Sequence, residues 1–225
     1  GIHPYDAEVA TTDAILSIER MAQGVDAIGE TGLDYSCKAD RESQELIFKA
    51  QLEVAQQYGK GVVLHCVRAF EPTMKILEKY RLKFVIFHGF IGSPEQALSA
   101  TSRGYYLSFG KRSLASPKSR QVIATAPAER IFCESDDAPS TDVENIYYEV
   151  AMLRGVSIES LRQQITKNYE KLIGITDDGE ATQIDNDTKA VADFICEKGL
   201  KGDLYILTPD GERILNTFGM FVDRC

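Results

Sequence analysis

The feature that most constrains this chain is a series of short apolar runs, each closed by a histidine or an acidic residue. The runs cover residues 25–30, 61–66, 84–89 and 130–136, and they place Glu30, His65, His88 and Asp136 at or just past their ends. Helix-like segments follow the first three runs. The carboxyl ends of parallel strands meet on one face of an alternating β/α barrel, where active sites are built. We therefore expect these four side chains to form one site.

The strand-like runs are nearly continuous stretches of apolar and β-branched residues rather than clean alternations. Such runs are typical of parallel strands with both faces covered. Five or six β/α units fit into residues 1–174, and an open doubly wound sheet would give the same alternation. Polar ligands at the end of strand after strand favour a closed barrel. The sequence thus predicts an α/β fold with a distorted TIM-type barrel.

The segments between the strands show helical spacing of apolar residues. After a polar loop at 31–40, helices are expected over 41–59 and 72–81, and from Pro94 to about Arg103 with Ser93 as the N-cap. Two more helices are expected near 142–154 and 158–173, the second capped by Ser157.

Residues 175–225 have a different character. An acidic, polar linker (176–187) is followed by a helix-like segment (188–199) and by two apolar arms around Pro-Asp-Gly (204–215). Two apolar arms around a turn sequence indicate a hairpin. We predict a hydrolase barrel over residues 1–174 and a small helix-hairpin extension over residues 175–225.

Charge and composition limit the classes of partner. The net charge is −9, and residues 175–225 carry 11 acidic against 5 basic side chains. An acidic chain is poorly suited to coating DNA without specificity, but bound ions can supply positive charge for a nucleic-acid end. No apolar run approaches the roughly 20 residues that a membrane span needs. The five cysteines form no C-x-x-C pair, so we expect reduced thiols in a cytoplasmic protein.

Histidine and carboxylate ligands together indicate a divalent metal site. Mixed nitrogen and oxygen coordination suits Zn, Mn, Fe or Mg, and the residue types alone do not choose among them. Two ions about 3.5–4 Å apart would stabilise the attacking and leaving oxygens of a phosphodiester. We expect one or two divalent metal ions.

Six sequence blocks occur in a recognisable order: GIHPYDA (1–7), AIGETGLDY (27–35), LHC (64–66), FHGFIGSPE (87–95), YLSFG (106–110) and ESDDAP (134–139). On these blocks, residues 1–174 resemble the TatD-type metal-dependent deoxyribonucleases of the amidohydrolase-like barrel superfamily. The resemblance implies a distorted TIM barrel, a one- or two-metal site and hydrolysis of DNA ends by metal-activated water. It implies that Glu30 bridges the metals, that His65 and His88 are ligands, and that Asp136 is both ligand and base.

The chain departs from the family pattern in two places. The family begins with an H-x-H pair on its first strand, and this chain starts at Gly1 without one. Either that first strand precedes Gly1 in the natural protein, or the protein binds metal in a different way. Tyr5 stands where the family often has a second histidine.

Further candidates for function lie near the same blocks. Four of them are expected to contact substrate: His3, Arg68, Lys111 and Arg112. Asp34 is interpreted as a turn or cap residue rather than a ligand. Tyr35 and Phe70 are able to stack on a base, although packing is the default role of an aromatic side chain.

These observations predict a metal-dependent hydrolase, specifically a deoxyribonuclease that acts from an end in the manner of a 3′–5′ exonuclease. Glu30 and Asp136 are its expected catalytic residues, and DNA ends or another phosphodiester are its expected substrates. One alternative is an amidohydrolase-like enzyme acting on a small ester, amide or lactone. Another is a degenerate barrel that binds without catalysis. The oligomeric state is not indicated by the sequence.

Overall fold

The computed structural model describes residues 1–136 and 141–174, together with two short strands at 204–207 and 213–216. The chain divides into two compact units, Gly1–Ser108 and Phe109–Cys225. The predicted division at residue 174 stays a prediction.

The first unit alternates helices with parallel strands. Its elements are α1 (Thr12–Met21), β1 (Ala27–Asp34), α2 (Arg41–Gln57), β2 (Gly61–Val67), α3 (Phe70–Leu77), β3 (Val85–Phe87), α4 (Pro94–Ser102) and β4 (Tyr106–Phe109), whose last residue begins the second unit. Strands β1 to β4 pair in parallel in this order. All residues of β3 and β4 are buried, which explains why apolar residues predominate in both strands.

Side-chain caps fix where several helices begin. Asp40 accepts a hydrogen bond from the Ser43 N–H at the start of α2, and Ser93 caps α4 with Pro94 in the first turn, as predicted. Helix α3 begins at Phe70, earlier than the predicted Pro72. A proline in the first turn costs no hydrogen bond, because the N–H groups there have no partner within the helix.

Strand β1 is longer than the sequence predicted. The run 25–30 was expected to end at Glu30, with a loop to follow, but pairing with β2 continues from Thr31 through Asp34. The register shifts between Ile28 and Thr31, so Glu30 lies in an irregularity within the strand rather than at its end. Such irregularities redirect a side chain and are frequent next to active sites.

The second unit contains mainly helices. Its elements are α5 (Lys111–Ala115), α6 (Pro117–Thr125), β5 (Ile131–Cys133), α7 (Thr141–Arg154), α8 (Ile158–Ile173), and the strands β6 (Leu204–Leu207) and β7 (Arg213–Asn216). The two helices expected near 142–154 and 158–173 are confirmed, and Ser157 caps the second by accepting from the Ser160 N–H. Strand β5 is shorter than the predicted run 130–136 because the chain leaves the strand after Cys133.

The predicted hairpin near the end of the chain is confirmed for its two arms, since β6 and β7 pair antiparallel. The predicted linker 176–187 and helix 188–199 lie outside the described residues.

Strands β1 to β4 follow one another in the sheet in chain order. Chain order in a sheet with helices between the strands confirms the predicted α/β class. Within the described ranges, none of the helices combines the length and apolar character that crossing a membrane requires.

Candidate active site

Three imidazole rings converge on one carboxylate oxygen in the first unit. The Oε2 atom of Glu30 lies 3.5 Å from Nδ1 of His65, 3.7 Å from Nε2 of His88 and 3.7 Å from Nε2 of His3. Glu30 comes from β1, His65 from β2 and His88 from the residue just after β3. The structure thus brings together three of the four predicted metal ligands and the predicted substrate contact His3.

These distances fit a shared metal ion. Ligand atoms about 2.0–2.2 Å from one ion lie roughly 3–3.5 Å apart. The ligand atoms of His3, Glu30 and His65 all lie within 4.8 Å of one another. Nitrogen and oxygen donors in this combination suit Zn and Mn, and carboxylate oxygens also suit Mg. The residues present are therefore able to hold a divalent ion.

The site is shielded but open to solvent. The side chains of His88 and His65 are 7% and 13% exposed, and that of Glu30 is 21% exposed. Burial alone would raise the pKa of Glu30, but the favourable interactions of its carboxylate with the neighbouring rings of His65 and His88 outweigh burial and hold that pKa below its usual value. Glu30 is accordingly a carboxylate at neutral pH, as a metal ligand must be.

A second carboxylate fixes the orientation of His65. The Nε2–H of His65 donates to Oδ2 of Asp34, at 3.1 Å. Because a carboxylate can only accept, this contact places the ring hydrogen on Nε2 and leaves the lone pair of Nδ1 facing Glu30. A carboxylate behind a histidine is the usual support of a metal-ligating imidazole.

Asp34 also forms the turn that the sequence predicted. Its Oδ1 accepts hydrogen bonds from the backbone N–H groups of Ser36 and Cys37, at 2.7 and 3.2 Å. Burial tends to raise the pKa of Asp34, but the hydrogen bonds from Ser36 and His65 lower it further than burial raises it. The turn role is thus confirmed, while the contact with His65 was missed.

His3 faces Glu30 differently from His65. Its Nδ1 accepts a hydrogen bond from the Tyr5 N–H, at 3.3 Å, so the neutral ring carries its hydrogen on Nε2. Burial and the nearby charge of His65 lower the pKa of His3, which favours this neutral form. His3 therefore presents an N–H donor, suited to a phosphate oxygen, where His65 presents a lone pair.

Two buried glutamines on α2 hold the backbone around these residues. Gln51 accepts from the Ile2 N–H at 2.6 Å and donates from Nε2 to the Ile2 carbonyl at 3.0 Å and to the Thr31 hydroxyl at 2.6 Å. It thereby ties the residue before His3 to the residue after Glu30.

Gln44, seven positions earlier on the same helix, supports Asp34 in the same manner. Its Oε1 accepts from the Asp34 N–H at 2.7 Å, and its Nε2 donates to the Asp34 carbonyl at 2.9 Å. Gln44 and Gln51 are 1% and 0% exposed. Because buried amides need hydrogen-bond partners, the side chains of these two residues hold the backbone of the site in place. The sequence did not predict their burial, since glutamine side chains are usually exposed.

The remaining predicted site residues occupy three places. Arg68 follows β2 and is exposed, and Asp136 follows β5 in the second unit. Among the described residues, these two are the non-glycine positions with positive φ, at 52° and 54°. Such conformations cost about 1–3 kcal/mol and cluster at functional sites. Lys111 and Arg112 are exposed at the start of α5, and their contact with substrate stays a prediction.

Two of the described cysteines are buried thiols without nucleophilic character. Burial raises the pKa of Cys66 to about 11. Burial likewise raises the pKa of Cys133, which is 1% exposed. A thiol with a raised pKa is not a nucleophile at neutral pH.

Comparisons with known proteins agree with this geometry. A family model described as TatD related DNase matches residues 1–174, the same residues that carry the resemblance in the sequence, and so confirms it. The chain is 30% identical over 204 residues to a 3′-5′ ssDNA/RNA exonuclease TatD of Pantoea ananatis, covering 78% of this chain and 76% of that protein. It is 26% identical to the human deoxyribonuclease TATDN3, covering 76% and 70%.

A metal-dependent hydrolase is also among the relatives: YabD of Bacillus subtilis, uncharacterized beyond that description, is 28% identical over 78% of this chain and 76% of its own. Among solved structures, the TatD homologue YJJV of Escherichia coli K12 superposes with a TM-score of 0.71 at 25% identity, covering 78% of this chain and 76% of that one. A TatD family hydrolase of Entamoeba histolytica gives a TM-score of 0.67 at 17% identity, covering 78% and 74%. These likenesses confirm the predicted fold class.

Proposed function

Because the chain belongs to the TatD-related DNase family, we propose that it is a metal-dependent hydrolase that cleaves phosphodiester bonds at the end of a DNA strand. The observation that carries this proposal is the convergence of His3, His65 and His88 on a single oxygen of Glu30. A carboxylate surrounded by three imidazoles has the composition of a metal centre.

In this proposal Glu30, His65 and His88 hold one divalent ion, with Mg, Mn and Zn as the candidates. The bound ion would supply Lewis acidity and would lower the pKa of a water molecule. Asp34 keeps the His65 ring in the tautomer that ligates, through the Nε2–H bond described above. The Glu30 side chain retains a second oxygen, with which it is suited to bridge to a second ion.

Asp136 is proposed as a further ligand and as the base that accepts a proton from the attacking water. Three observations support it: the ESDDAP block of the family resemblance, its place just after β5, and its positive φ. Positive φ at a non-glycine residue is more common for Asp than for most residues and is often kept for function.

The substrate contacts proposed are His3, Arg68, Lys111 and Arg112. His3 presents its Nε2–H beside Glu30. There it can donate a hydrogen bond to a phosphate oxygen on which negative charge develops during the reaction. Relatives named as 3′-5′ exonucleases of single-stranded DNA and RNA support a single-stranded 3′ end as the substrate. Arg68 is suited to hold a second phosphate through its guanidinium.

The proposal predicts that the protein releases nucleotides from 3′-labelled single-stranded DNA in a metal-dependent reaction. Release should require Mg, Mn or Zn and stop with EDTA. Glu30→Gln, His65→Ala and Asp136→Ala should each lower the rate by at least about two orders of magnitude, since each removes a ligand or the base. Folding is checked by circular dichroism, and Glu53→Gln, an exposed carboxylate on α2, is the matched control.

Near-normal release by the Glu30 or His65 variant would refute the assignment of the metal centre. Normal release by the Asp136 variant alone would refute the role of Asp136 as ligand and base, while the assignment of Glu30 and His65 to the metal centre would stand. Metal-dependent turnover of small esters, with no release of nucleotides, would replace the nuclease by a small-molecule hydrolase.

A further inference from the structure

A cavity of about 380 Å³ adjoins the candidate metal centre within the first unit. His88 forms part of its wall, so the cavity and the centre share one side chain. The rest of the wall relevant here consists of Arg68, Phe70, Phe87, Phe90 and Ile91. A volume in this range is enough for a small ligand or part of a larger one.

The wall of this cavity is largely aromatic. The rings of Phe70 and Phe87 lie 5.6 Å apart at 37°, and Phe90 stands edge-on to both at 6.3 Å. Phe87 and Phe90 are buried, whereas Phe70 is half-buried and Ile91 is 55% exposed. The cavity therefore presents aromatic rings next to an aliphatic side chain that reaches solvent.

The other aromatic candidate for base stacking, Tyr35, is already engaged. The guanidinium of Arg41 lies over its ring, 4.3 Å from the centroid, and its hydroxyl donates to Glu45 at 3.2 Å. Of the two aromatic residues named from the sequence, Phe70 is the one that lines this cavity.

A cation and an amide also line the cavity. Arg68 is exposed and held at positive φ between β2 and α3. Gln96 belongs to the wall too, and its Oε1 accepts a hydrogen bond from the Ser93 N–H in the cap of α4. Aromatic rings and a guanidinium are groups that bind a nucleotide, because the rings stack on the base and the cation binds a phosphate. A purely aliphatic ligand would leave Arg68 without a role.

We propose that this cavity takes the base of the terminal nucleotide, stacked against Phe70, while its phosphodiester lies at the metal centre beside His88. This inference rests on the proposed function and adds a subsite to it. Because any base has a flat face, the subsite would accept all four bases and would reject a terminal nucleotide that lacks one.

The test compares two single strands that differ at their 3′ terminal nucleotide, one with a base and one abasic. The wild-type protein should favour the strand with the base by about tenfold in kcat/KM, in keeping with the stacking of one base on an aromatic ring. Phe70→Ala should abolish that preference by lowering kcat/KM on the strand that carries the base. Phe70→Leu keeps apolar bulk without an aromatic face, so it should fold normally and also lose the preference.

Leu98→Ala is the matched control, since Leu98 is 68% exposed on α4 and outside the cavity wall. It should keep the wild-type preference. Equal cleavage of both strands by the wild type, or a preference that survives Phe70→Leu, would overturn the proposal.

If neither strand is cleaved, the proposed function fails, and the cavity is tested separately by equilibrium dialysis. Deoxyadenosine monophosphate should then bind at least about fivefold tighter than deoxyribose 5-phosphate, with the difference lost in Phe70→Leu. Equal binding of the two compounds would overturn the subsite independently of any activity.

Discussion

His65 shows how much of the site depends on one well-supported residue. It is held between Asp34 on one ring nitrogen and Glu30 on the other, at 3.1 and 3.5 Å. Its backbone is paired with Gly32 of the neighbouring strand. Gly32 has φ 137°, and a Cβ there would collide with the His65 carbonyl oxygen. The close approach of β1 to β2 at this point therefore requires glycine.

Substituting Gly32 by alanine should disturb His65 specifically. We expect Gly32→Ala to destabilise the protein by more than about 2 kcal/mol, because both the backbone conformation and the collision oppose it. Affinity for the metal, measured by equilibrium dialysis, should fall at least about tenfold.

Gly59→Ala is the comparison for this effect. Gly59 also has positive φ, at 62°, but nothing lies within 4 Å of an added Cβ. Gly59→Ala should lower the free energy of unfolding by about 1–2 kcal/mol, through the backbone conformation alone, and should leave metal affinity unchanged. Equal loss of affinity in both variants would show that the contact with His65 is irrelevant.

The sequence contained a signal for this feature. An isolated glycine within a strand-like segment suggests an irregularity or a close backbone approach, and Gly32 follows Glu30 in just such a segment. The sequence nevertheless predicts a loop at Gly32, because the segment after Glu30 is mostly polar. The register shift that allows β1 to continue is a tertiary effect of pairing with β2, which no local pattern reports.

At the scale of elements, α2 does more than cover the sheet. The apolar residues of 41–59 predicted a helix, which the structure confirms over Arg41–Gln57. Leu46, however, is 67% exposed, while Gln44 and Gln51 are buried. Hydrophobic periodicity assigns glutamine to the outer face. It could not reveal that two amides point inward, since their partners are backbone groups of distant segments.

Removing the Gln51 amide should increase the mobility of His3, although the substitution leaves His3 itself unchanged. Gln51→Leu leaves the Ile2 N–H and carbonyl without their partners in α2, so hydrogen exchange at residues 1–7 should accelerate by at least about tenfold. A buried group that loses its partner costs about 1–3 kcal/mol. Activity should fall to the level of His3→Ala, and the double variant should be no worse than either single one.

Gln57→Leu, at the exposed end of the same helix, controls for the loss of a glutamine. It should change neither hydrogen exchange at the start of the chain nor activity. Additive losses in the double variant would mean that Gln51 acts by some route other than His3.

For the whole molecule, charge sets the expected response to salt. The net charge of −9 opposes general attraction to nucleic acid, so binding must depend on a few local cations. If Arg68, Lys111 and Arg112 each contact a phosphate, the slope of log K against log salt should be about −2 for a single strand. Fluorescence anisotropy with the inactive Glu30→Gln variant measures it.

Arg68→Gln should reduce that slope by about 0.7, whereas Arg20→Gln, in α1, should leave it unchanged. A slope much steeper than about −4 would indicate a wider basic surface than the predicted residues provide.

The sequence predicted the alternation of strands and helices better than it predicted the residues that orient the site. Buried strands such as 61–67 are apolar on both faces, so composition alone identified them. Helix α1, which has no fully buried residue, left no comparable signal. The ligands were found because His and Glu at strand ends are unusual, while the residues that orient them, Asp34 and the two glutamines, are ordinary in sequence and distinctive only in space.

The chain contains three histidines, and all three meet at Glu30. An NMR spectrum of the protein labelled with ¹⁵N at histidine alone would therefore be a spectrum of this one site, with no background from the rest of the molecule. The chemical shifts of the ring nitrogens would read the tautomer of each imidazole directly. Titration with a metal would then report, ring by ring, which nitrogens it binds.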